Sequence, residues 1–340
     1  MNGGGPQTPE PLPLRKVTAI NDKNCGGRIT FPGDAVPKRA LLIVNRKSRN
    51  GAGDINVFTE HLASRAVEVL LRMTERPDQI PALIERHATD VDCVIIGGGD
   101  GSLNAAAGAL AAARLPLGVL PLGTANDLAR TLKIPVEPAE AGKVITDGIL
   151  HRIDLGRVND RFFFNVAHIG LGVRAREHLS GDVKRRWGAL SYARALFRTL
   201  GSFRPFHADI ECDGQTSRLP SIHIAVGNGR HYGGGMTVSE NASIDDRLLF
   251  LYSIEPLGAW QLLKCLPALR TGRFEEWHPV VIAQGRRIRI ATRRKLNVSA
   301  DGEVVSSTPA TFDLIPGAIS VFVPEAYFES RKDMTNVAQG

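Results

Sequence analysis

The strongest constraint on the fold is an alternation of short apolar runs with helix-like segments in the part of the chain that follows Arg39. Helical stretches are expected near residues 54–64, 78–88 and 103–113. Four apolar runs have the length and composition of buried strands: Ala40–Val44, Ala66–Leu71, Cys93–Ile96 and Leu117–Leu120. Strands and helices in strict alternation predict a parallel sheet covered on both faces, which is a doubly wound α/β domain.

After about residue 150 the pattern changes to consecutive strands, from HRIDLGRV at residue 151 to AISVFVP at residue 318. Only two helical segments, near 185–200 and 257–270, interrupt them, so a mostly antiparallel β domain is predicted. The expected organisation is a flexible arm at 1–37, a nucleotide-binding domain at 38–150, a β-rich domain at 151–326, and a tail at 327–340 that packs back on the first domain. A ligand site is expected in the cleft between the two domains.

Composition excludes several other classes of protein. The 340 residues are 43% hydrophobic, far too apolar for a disordered chain and enough for two domains. The four cysteines stand singly, without the paired spacing of a zinc site or a disulfide framework, so reduced thiols in a cytoplasmic protein are expected. The most apolar stretch, Ala105–Gly123, is interrupted by Arg114 and two prolines and is therefore not expected to cross a bilayer. The segment MNGGGPQTPEPLP lacks the apolar region of a secretory signal.

Positive charge is concentrated in two runs. Lys and Arg number 42 against 35 Asp and Glu, a formal net charge of +7 at pH 7. One run is QGRRIRIATRRK at residues 284–295, and the other is Lys184-Arg185-Arg186-Trp187 with Arg194 and Arg198. Each run suits either a solvated surface or an anionic partner such as a membrane or a polyphosphate. Nucleic acid is not expected, because no zinc finger, RNP motif or aromatic stacking platform is visible.

The sharpest local feature is Ile95-Ile96-Gly97-Gly98-Gly99-Asp100-Gly101-Ser102-Leu103-Asn104, where a strand enters a glycine-rich turn and then a helix. Glycines let a ligand approach the backbone, and a helix N-terminus attracts phosphate. Asp100 is therefore either a catalytic or magnesium-binding acid or simply a helix cap.

Two further strand ends carry similar signals. Pro121–Arg130 reads PLGTANDLAR, and Asn45–Gly51 reads NRKSRNG. Because the carboxyl ends of parallel strands meet at one edge of a sheet, the three turns together predict a nucleotide crevice. Far downstream, Asp301-Gly302-Glu303 forms either an ordinary hairpin turn or a pair of functional acids.

GGDGSLN, PLGTANDLAR and DGE, in this order, resemble the diacylglycerol kinase catalytic-domain superfamily, which includes bacterial lipid kinases and sphingosine kinases. The resemblance extends from about Arg39 to Glu325. It is supported by Asn165–Gly172, by Gly227–Gly235 with its three closing glycines, and by Pro316-Gly317-Ala318.

The resemblance implies ATP-dependent phosphorylation of a lipid hydroxyl, with ATP and Mg²⁺ in the cleft. The acceptor would be diacylglycerol-like, phosphatidylglycerol-like or sphingoid. The base would be Asp100, Asp301 or Glu303, and Asp246 is a candidate ligand of a structural metal. The nucleotide would be lined by residues of the glycine-containing turns and of neighbouring strand ends: Asn45, Arg46, Lys47, Ser48, Arg49, Thr74, Gly98, Gly99, Gly101, Ser102, Leu103, Asn104, Gly123, Thr124 and Asn126.

Several residues depart from the family pattern. Arg46 and Arg49 replace the proline and glycine of an Asn-Pro-x-Ser-Gly loop, Ala105 replaces a glutamate, and Ser102 replaces a threonine. Phe250 stands where the structural metal site of some bacterial members has an aspartate. Two alternatives therefore stay open: an NAD kinase-like enzyme with a soluble substrate, and a non-catalytic module that binds nucleotide or lipid. The leading expectation is a cytoplasmic lipid kinase that visits anionic membranes peripherally, and the sequence is compatible with a homodimer.

Overall fold

The computed structural model describes residues 36–46, 52–147, 149–171, 173, 204–228, 231–232, 236–237, 243–257 and 280–329. Within these ranges no helix combines the length and the apolar character that crossing a membrane requires.

The N-terminal half is built from alternating strands and helices. Its strands run parallel in the order β2-β1-β3-β4. The strands are β1 (Arg39–Asn45), β2 (Glu68–Thr74), β3 (Cys93–Gly98) and β4 (Leu117–Pro121). The helices are α1 (Ala52–Ser64), α2 (Ile80–His87, after a 3₁₀ turn at Pro77–Gln79), α3 (Asp100–Ala113), α4 (Asp127–Thr131) and α5 (Pro138–Asp147).

Successive residues of β1 face opposite sides of this sheet, and both sides are covered. Leu41 and Ile43 pack in one apolar cluster with residues of α2 and α3. Leu42 and Val44 pack in a second cluster with residues of α1 and α5. Because both faces are buried, β1 is apolar throughout instead of alternating with polar residues. The predicted doubly wound α/β arrangement is confirmed.

The C-terminal half is mostly antiparallel. Its separate six-stranded sheet has the order β14-β13-β10-β7-β16-β17. The strands are β5 (Ile149–Val158), β6 (Arg161–Phe163), β7 (Val166–Gly170), β8 (Phe206–Cys212), β9 (Gln215–Ser221), β10 (His223–Gly227), β11 (His231–Tyr232), β12 (Met236–Thr237), β13 (Leu249–Ile254), β14 (Val280–Gly285), β15 (Arg287–Thr292), β16 (Asn297–Ala300), β17 (Glu303–Ser307) and β18 (Ala310–Val323).

A third apolar cluster lies between two sheets of the C-terminal half. The six-stranded sheet contributes residues such as Ile224 and Leu251, while β8, β15 and β18 contribute Ile210, Ile288 and Phe312. Two sheets that share one apolar core form a β-sandwich, which agrees with the antiparallel second domain predicted from the sequence.

One strand, β18, joins the two halves. It pairs with β15 and β5 in antiparallel fashion and with β4 in parallel at Val321 and Leu117. A single ten-stranded sheet therefore continues from the α/β half into the sandwich. The end of β18 and Tyr327, from a helical turn at residues 325–329, are buried in the core of the α/β half.

Some elements differ from those expected. Strand β2 begins at Glu68 because Ala66 adopts a left-handed turn conformation with φ 59°. Helix α3 begins at Asp100, three residues before the expected start near 103. The described segments β9, β14, β17 and α5 are additional to the predicted elements. Strand β9 reads QTSRLPS, which lacks the alternation of apolar residues that reveals a strand. The helices expected near 185–200 and 257–270 lie outside the described residues.

The basic run at 284–295 is partly neutralised by acids from neighbouring strands. The Asp313 carboxylate forms ion pairs with the guanidinium groups of Arg157, at 3.1 Å, and Arg287, at 3.5 Å. Arg289 lies directly opposite Glu211 in the pairing of β15 with β8. In this part of the run, acids of neighbouring strands therefore lie beside the arginines on one solvated face. Three exposed cations follow β15 in the turn before β16: Arg293, Arg294 and Lys295. The run at Lys184–Trp187, with Arg194 and Arg198, lies outside the described residues.

Candidate active site

The candidate site lies where the strand order of the parallel sheet reverses. From β1 the chain moves outward to β2, and β3 then lies on the other side of β1. Ligands of doubly wound folds bind outside the carboxyl ends of the strands at such a point. Asn45 ends β1 and Gly98 ends β3 at this edge. The Asn45 Nδ2 atom lies 3.4 Å from Ser102 Oγ and links the two sides of the crevice.

Helix α3 presents its N-terminus to the crevice. Gly99 is the N-cap, and its carbonyl oxygen accepts hydrogen bonds from the amides of Ser102 and Leu103. The 14-residue helix directs the positive end of its dipole toward the turn. This geometry suits a phosphate group.

The two glycine turns touch each other. A Cβ atom at Gly123 would lie 2.5 Å from Gly99 Cα and 2.6 Å from Asn126 Oδ1. Asn126 is left-handed (φ 49°), accepts a hydrogen bond from the Gly123 amide at 3.0 Å and donates to the Gly123 carbonyl at 3.1 Å. Only glycine fits at residue 123, so this contact depends on the sequence of the second turn.

Asp100 connects these turns through its side chain. Its Oδ1 atom accepts a hydrogen bond from the Leu128 amide at 3.2 Å, at the start of α4. Asp127, the first residue of α4, is buried with 7% exposure.

The DGE turn of the sandwich meets the start of α3. Asp301 (φ 42°) and Gly302 (φ 90°) form the two-residue connection between β16 and β17. Glu303 Oε1 lies 3.1 Å from the position that a Cβ atom would occupy at Gly101. Glu303 is exposed, and the absence of a side chain at Gly101 leaves space beside its carboxylate. The structure therefore brings Glu303 and the glycine turn together, although about two hundred residues separate them.

The Asp301 carboxylate is held by backbone amides. It accepts hydrogen bonds from Phe164 N at 2.7 Å, Val166 N at 3.0 Å and Asn165 N at 3.1 Å. The Asp301 amide in turn donates to the Val166 carbonyl at 2.9 Å. Burial raises the pKa of Asp301 to about 7, an effect to which the nearby Asp100 charge adds and which the amides oppose.

The remaining predicted nucleotide residues occupy the same edge or lie outside the described residues. The Thr74 hydroxyl donates to Val44 O at 3.4 Å, and Arg46 N donates to Thr74 O at 2.9 Å. Thr124 is exposed after β4, and Asn104 lies in the first part of α3 with a buried Oδ1 atom that has no partner among the described residues. Such an unmet acceptor is often satisfied by a ligand or water. Lys47, Ser48 and Arg49 are outside the described ranges.

Asp246, the candidate ligand of a structural metal, does not have the surroundings of one. Its carboxylate accepts hydrogen bonds from Ser243 N at 2.8 Å and Leu248 N at 2.9 Å. Burial raises its pKa to about 8, and the nearby charges of Asp245 and Asp154 add to this effect. Among the described residues no group of three His, Cys, Asp or Glu side chains could hold a metal ion. These residues do not fit a structural metal site, and Asp246 instead caps its own turn.

The crevice does fit a nucleotide with its magnesium ion. Mg²⁺ bound with a nucleotide takes most of its ligands from phosphates and water, together with one or two carboxylates. Asp100 is a carboxylate in the first turn of α3. The site therefore combines a backbone geometry suited to phosphate with an acid that could hold a metal ion.

Taken together, the fold joins an α/β half, which carries the candidate crevice, to a β-sandwich, which brings Glu303 to the edge of that crevice. The diacylglycerol kinase catalytic domain family matches residues 39–158. The family described as YegS C-terminal NAD kinase beta sandwich-like domain matches residues 165–323.

Relatives and solved structures agree with these matches. A Klebsiella pneumoniae (strain 342) protein named "Probable lipid kinase YegS-like" is 30% identical over 87% of this chain and 97% of its own length. A diacylglycerol kinase of Mycobacterium tuberculosis (strain ATCC 25618 / H37Rv) is 30% identical over 70% of this chain and 78% of its own. The crystal structure of a diacylglycerol kinase from Bacillus anthracis str. Sterne matches with a TM-score of 0.70 and 25% sequence identity. The match covers 86% of this chain and 99% of the Bacillus chain. The chain belongs to the diacylglycerol kinase family of lipid kinases that includes the YegS-like proteins.

Proposed function

We propose that this protein is an ATP-dependent lipid kinase that transfers the γ-phosphoryl group of ATP to a lipid hydroxyl. The observation that carries the proposal is the position of the Glu303 carboxylate beside Gly101, at the N-terminus of α3. An acid on the sandwich thereby faces a phosphate-binding turn on the α/β half. Names of relatives point to the same class of reaction.

Glu303 is the base in this proposal. The lipid hydroxyl oxygen forms a bond to the γ-phosphorus, the bond from that phosphorus to the β,γ-bridging oxygen breaks, and ADP leaves. The hydroxyl proton passes to Glu303. Both oxygens of Asp301 already accept amide hydrogen bonds, and Asp100 accepts one from Leu128. Glu303, which is exposed at the mouth of the crevice, is the acid best placed to receive a proton.

The nucleotide is held by the turns at the carboxyl ends of the strands. The start of α3 and the Gly123 turn bind phosphate through backbone amides, and Asn45 and Thr74 line the ends of β1 and β2. Asp100 would hold Mg²⁺, which neutralises charge on the phosphates when bound. Arg46, the exposed cation after β1, adds a positive charge at the same edge.

We also propose that the protein meets its substrate at an anionic membrane surface. The exposed cations Arg293, Arg294 and Lys295 support this, and Lys184, Arg185 and Arg186 add positive charge in the sequence. A basic side chain near an anionic bilayer contributes about 1 kcal/mol. Arg287 and Arg289 of β15 are not counted in this surface, because the acids Asp313 and Glu211 of the neighbouring strands lie beside them.

The test is phosphoryl transfer from labelled Mg-ATP to diacylglycerol, phosphatidylglycerol and a sphingoid base, each presented in anionic vesicles. Wild-type protein is expected to label at least one lipid, and Glu303→Gln to lose about 100-fold or more in kcat, because the base is removed. ATP affinity should change little.

Sedimentation with the same vesicles tests the membrane surface. The fraction of protein bound to the vesicles should decrease as salt increases.

Glu211→Gln is the matched control, since Glu211 is an acid on the outer face of the sandwich. It should retain wild-type kcat. Wild-type protein that labels NAD but none of the lipids would replace this proposal with a soluble-substrate kinase. Nucleotide binding without any transfer would favour a regulatory module, and salt-independent sedimentation would exclude the membrane surface.

A further inference from the structure

Asn228, the residue that follows β10, occupies an unusual position behind the proposed catalytic turn. It is 1% exposed, and its Nδ2 group donates to Phe164 O at 2.9 Å and to Asp154 O at 3.0 Å. Its backbone amide donates to Asn165 O at 2.8 Å. Two carbonyl acceptors fix the orientation of the side-chain amide, because the reversed orientation would place oxygen against oxygen.

The carbonyls that Asn228 binds belong to the same peptide groups that hold Asp301. The peptide that contains Phe164 O also contains Asn165 N, which donates to Asp301 Oδ1. The next peptide contains Asn165 O and Val166 N, and this amide donates to the same oxygen. Asn228 and Asp301 thus lie on opposite sides of two consecutive peptide groups. Hydrogen bonds in such a chain polarise and strengthen one another.

Asn228 is itself anchored on a rigid part of the sandwich. Asp154, whose carbonyl it binds, is a buried residue of β5. The Asp154 carboxylate accepts hydrogen bonds from Gly317 N at 2.7 Å and from Arg247 N at 2.8 Å. The network therefore runs from β5 through Asn228 to the peptides at 164–166, and then to the DGE turn.

One side-chain oxygen of each asparagine takes no part in this network. The Oδ1 atoms of Asn228 and Asn165 are buried and have no hydrogen-bond partner among the described residues. Buried acceptors of this kind are commonly satisfied by ordered water. The fixed side-chain contacts of Asn228 are therefore those of its Nδ2 group.

We infer that Asn228 is a positioning residue for phosphoryl transfer: it fixes the amides that hold Asp301, and thereby fixes Glu303 two residues later. The inference rests on the proposed function, because its consequence is measured on kcat. Within the described part of the chain, the hydrogen bonds of Asn228 go to Asp154, Phe164 and Asn165, and not to Glu303 or the glycine turns. Substitutions should therefore change the transfer step and leave nucleotide binding intact.

The test compares Asn228→Asp and Asn228→Ser with wild-type protein. Asn228→Asp keeps the size of the side chain but turns an acceptor toward two carbonyl oxygens. Asn228→Ser replaces the two N–H donors of Nδ2 by one hydroxyl on a shorter side chain, without adding charge. Both should lower kcat by about 10- to 100-fold, as small displacements of a catalytic group do. The KM and the Kd for ATP should stay within about twofold. If Asn228→Asp does not fold, the comparison is made between Asn228→Ser and wild-type protein.

Ser221→Ala is the matched control. Ser221 is fully buried just before β10, at the end of that strand opposite Asn228, and its hydroxyl bonds His223 O and Ile254 O. Its loss should lower the Tm without changing kcat. Equal effects of Ser221→Ala and Asn228→Ser on kcat would show general destabilisation and overturn the inference.

A double-mutant cycle with Asp301→Asn tests whether Asn228 acts through Asp301. The doubly substituted protein should lose no more kcat than the more impaired single variant, because both changes disrupt one unit. Additive losses, or folded Asn228 variants with wild-type kcat, would overturn the inference. If wild-type protein transfers no phosphoryl group, the proposed function fails. Amide hydrogen exchange at residues 164–166 then tests whether Asn228 fixes these amides. Faster exchange in Asn228→Ser than in wild-type protein supports this role, and unchanged exchange contradicts it.

Discussion

At the scale of single residues, Asp301 and Glu303 lie two positions apart but have different surroundings. Asp301 accepts three amide hydrogen bonds, whereas Glu303 is exposed beside Gly101. The sequence could identify both acids as candidates. It could not assign their roles, because Phe164, which binds Asp301, is 137 positions away along the chain.

The raised pKa values of two carboxyl groups also predict how the free energy of unfolding depends on pH. Burial raises the pKa of Asp301 to about 7 and of Asp246 to about 8. In the unfolded chain both ionise near pH 4. Between these values the native state binds more protons, so the free energy of unfolding should fall as pH rises from about 4 through 8. Urea unfolding at pH 6, 7.5 and 9 measures this trend.

Asp246→Asn should make the decline between pH 7 and 9 shallower, because it removes the group with the higher pKa. Asp160→Asn is the control, since Asp160 is exposed in the turn between β5 and β6. It should leave the pH profile unchanged. A wild-type profile that rises over this range would contradict the assignment.

At the scale of elements, the two glycine turns were predictable because their signals are local. A strand, a glycine and a polar residue at the start of a helix lie within a few positions of one another in each turn. The contact between Gly99 and Gly123 was not predictable, because it depends on the approach of two separate turns. The same holds for the basic run of β15: its own segment contains no acid, and only strand pairing brings Asp313 to Arg287.

Gly123→Ala should weaken ATP binding. The added Cβ atom would lie 2.5 Å from Gly99 Cα, so one of the turns must move. Calorimetry is expected to show at least a tenfold rise in the Kd for ATP, about 1.4 kcal/mol. The measurement is made on full-length protein with its Tm recorded in parallel.

Gly214→Ala is the comparison that separates local strain from damage to the crevice. Gly214 has φ 88° in open space, in the turn between β8 and β9. Its substitution should cost about 1 kcal/mol of stability through backbone strain and leave ATP affinity unchanged. Similar ATP affinities for the two alanine variants would count against the Gly99–Gly123 contact as part of the nucleotide site.

At the scale of the whole molecule, the C-terminal part of the chain completes the N-terminal core. Tyr327 is 3% exposed, and its ring centroid lies 5.2 Å from that of His151 and 5.4 Å from that of Phe328. The sequence indicated two domains from the change in strand pattern. It did not indicate that β18 would insert beside β4, because strand order in a sheet depends on long-range contacts.

Tyr327→Ala should therefore destabilise the α/β half, although the residue lies at the far end of the chain. The loss of a buried aromatic side chain is expected to cost about 3 kcal/mol, measured by urea unfolding. Val136→Ala, at a position with 65% exposure, should change stability by less than about 0.5 kcal/mol. Equal effects of the two substitutions would show that Tyr327 does not contribute to the core.

The insertion of β18 beside β4 also constrains how the protein folds during synthesis. Strands β1 to β4 leave the ribosome before β18, the neighbour that covers the edge of β4, which begins at Ala310 whereas β4 ends at Pro121. An uncovered, apolar edge strand readily pairs with other chains. Nascent chains that stall before residue 310 therefore expose an aggregation-prone edge of β4. The time needed to translate the β-sandwich determines how long this edge stays uncovered.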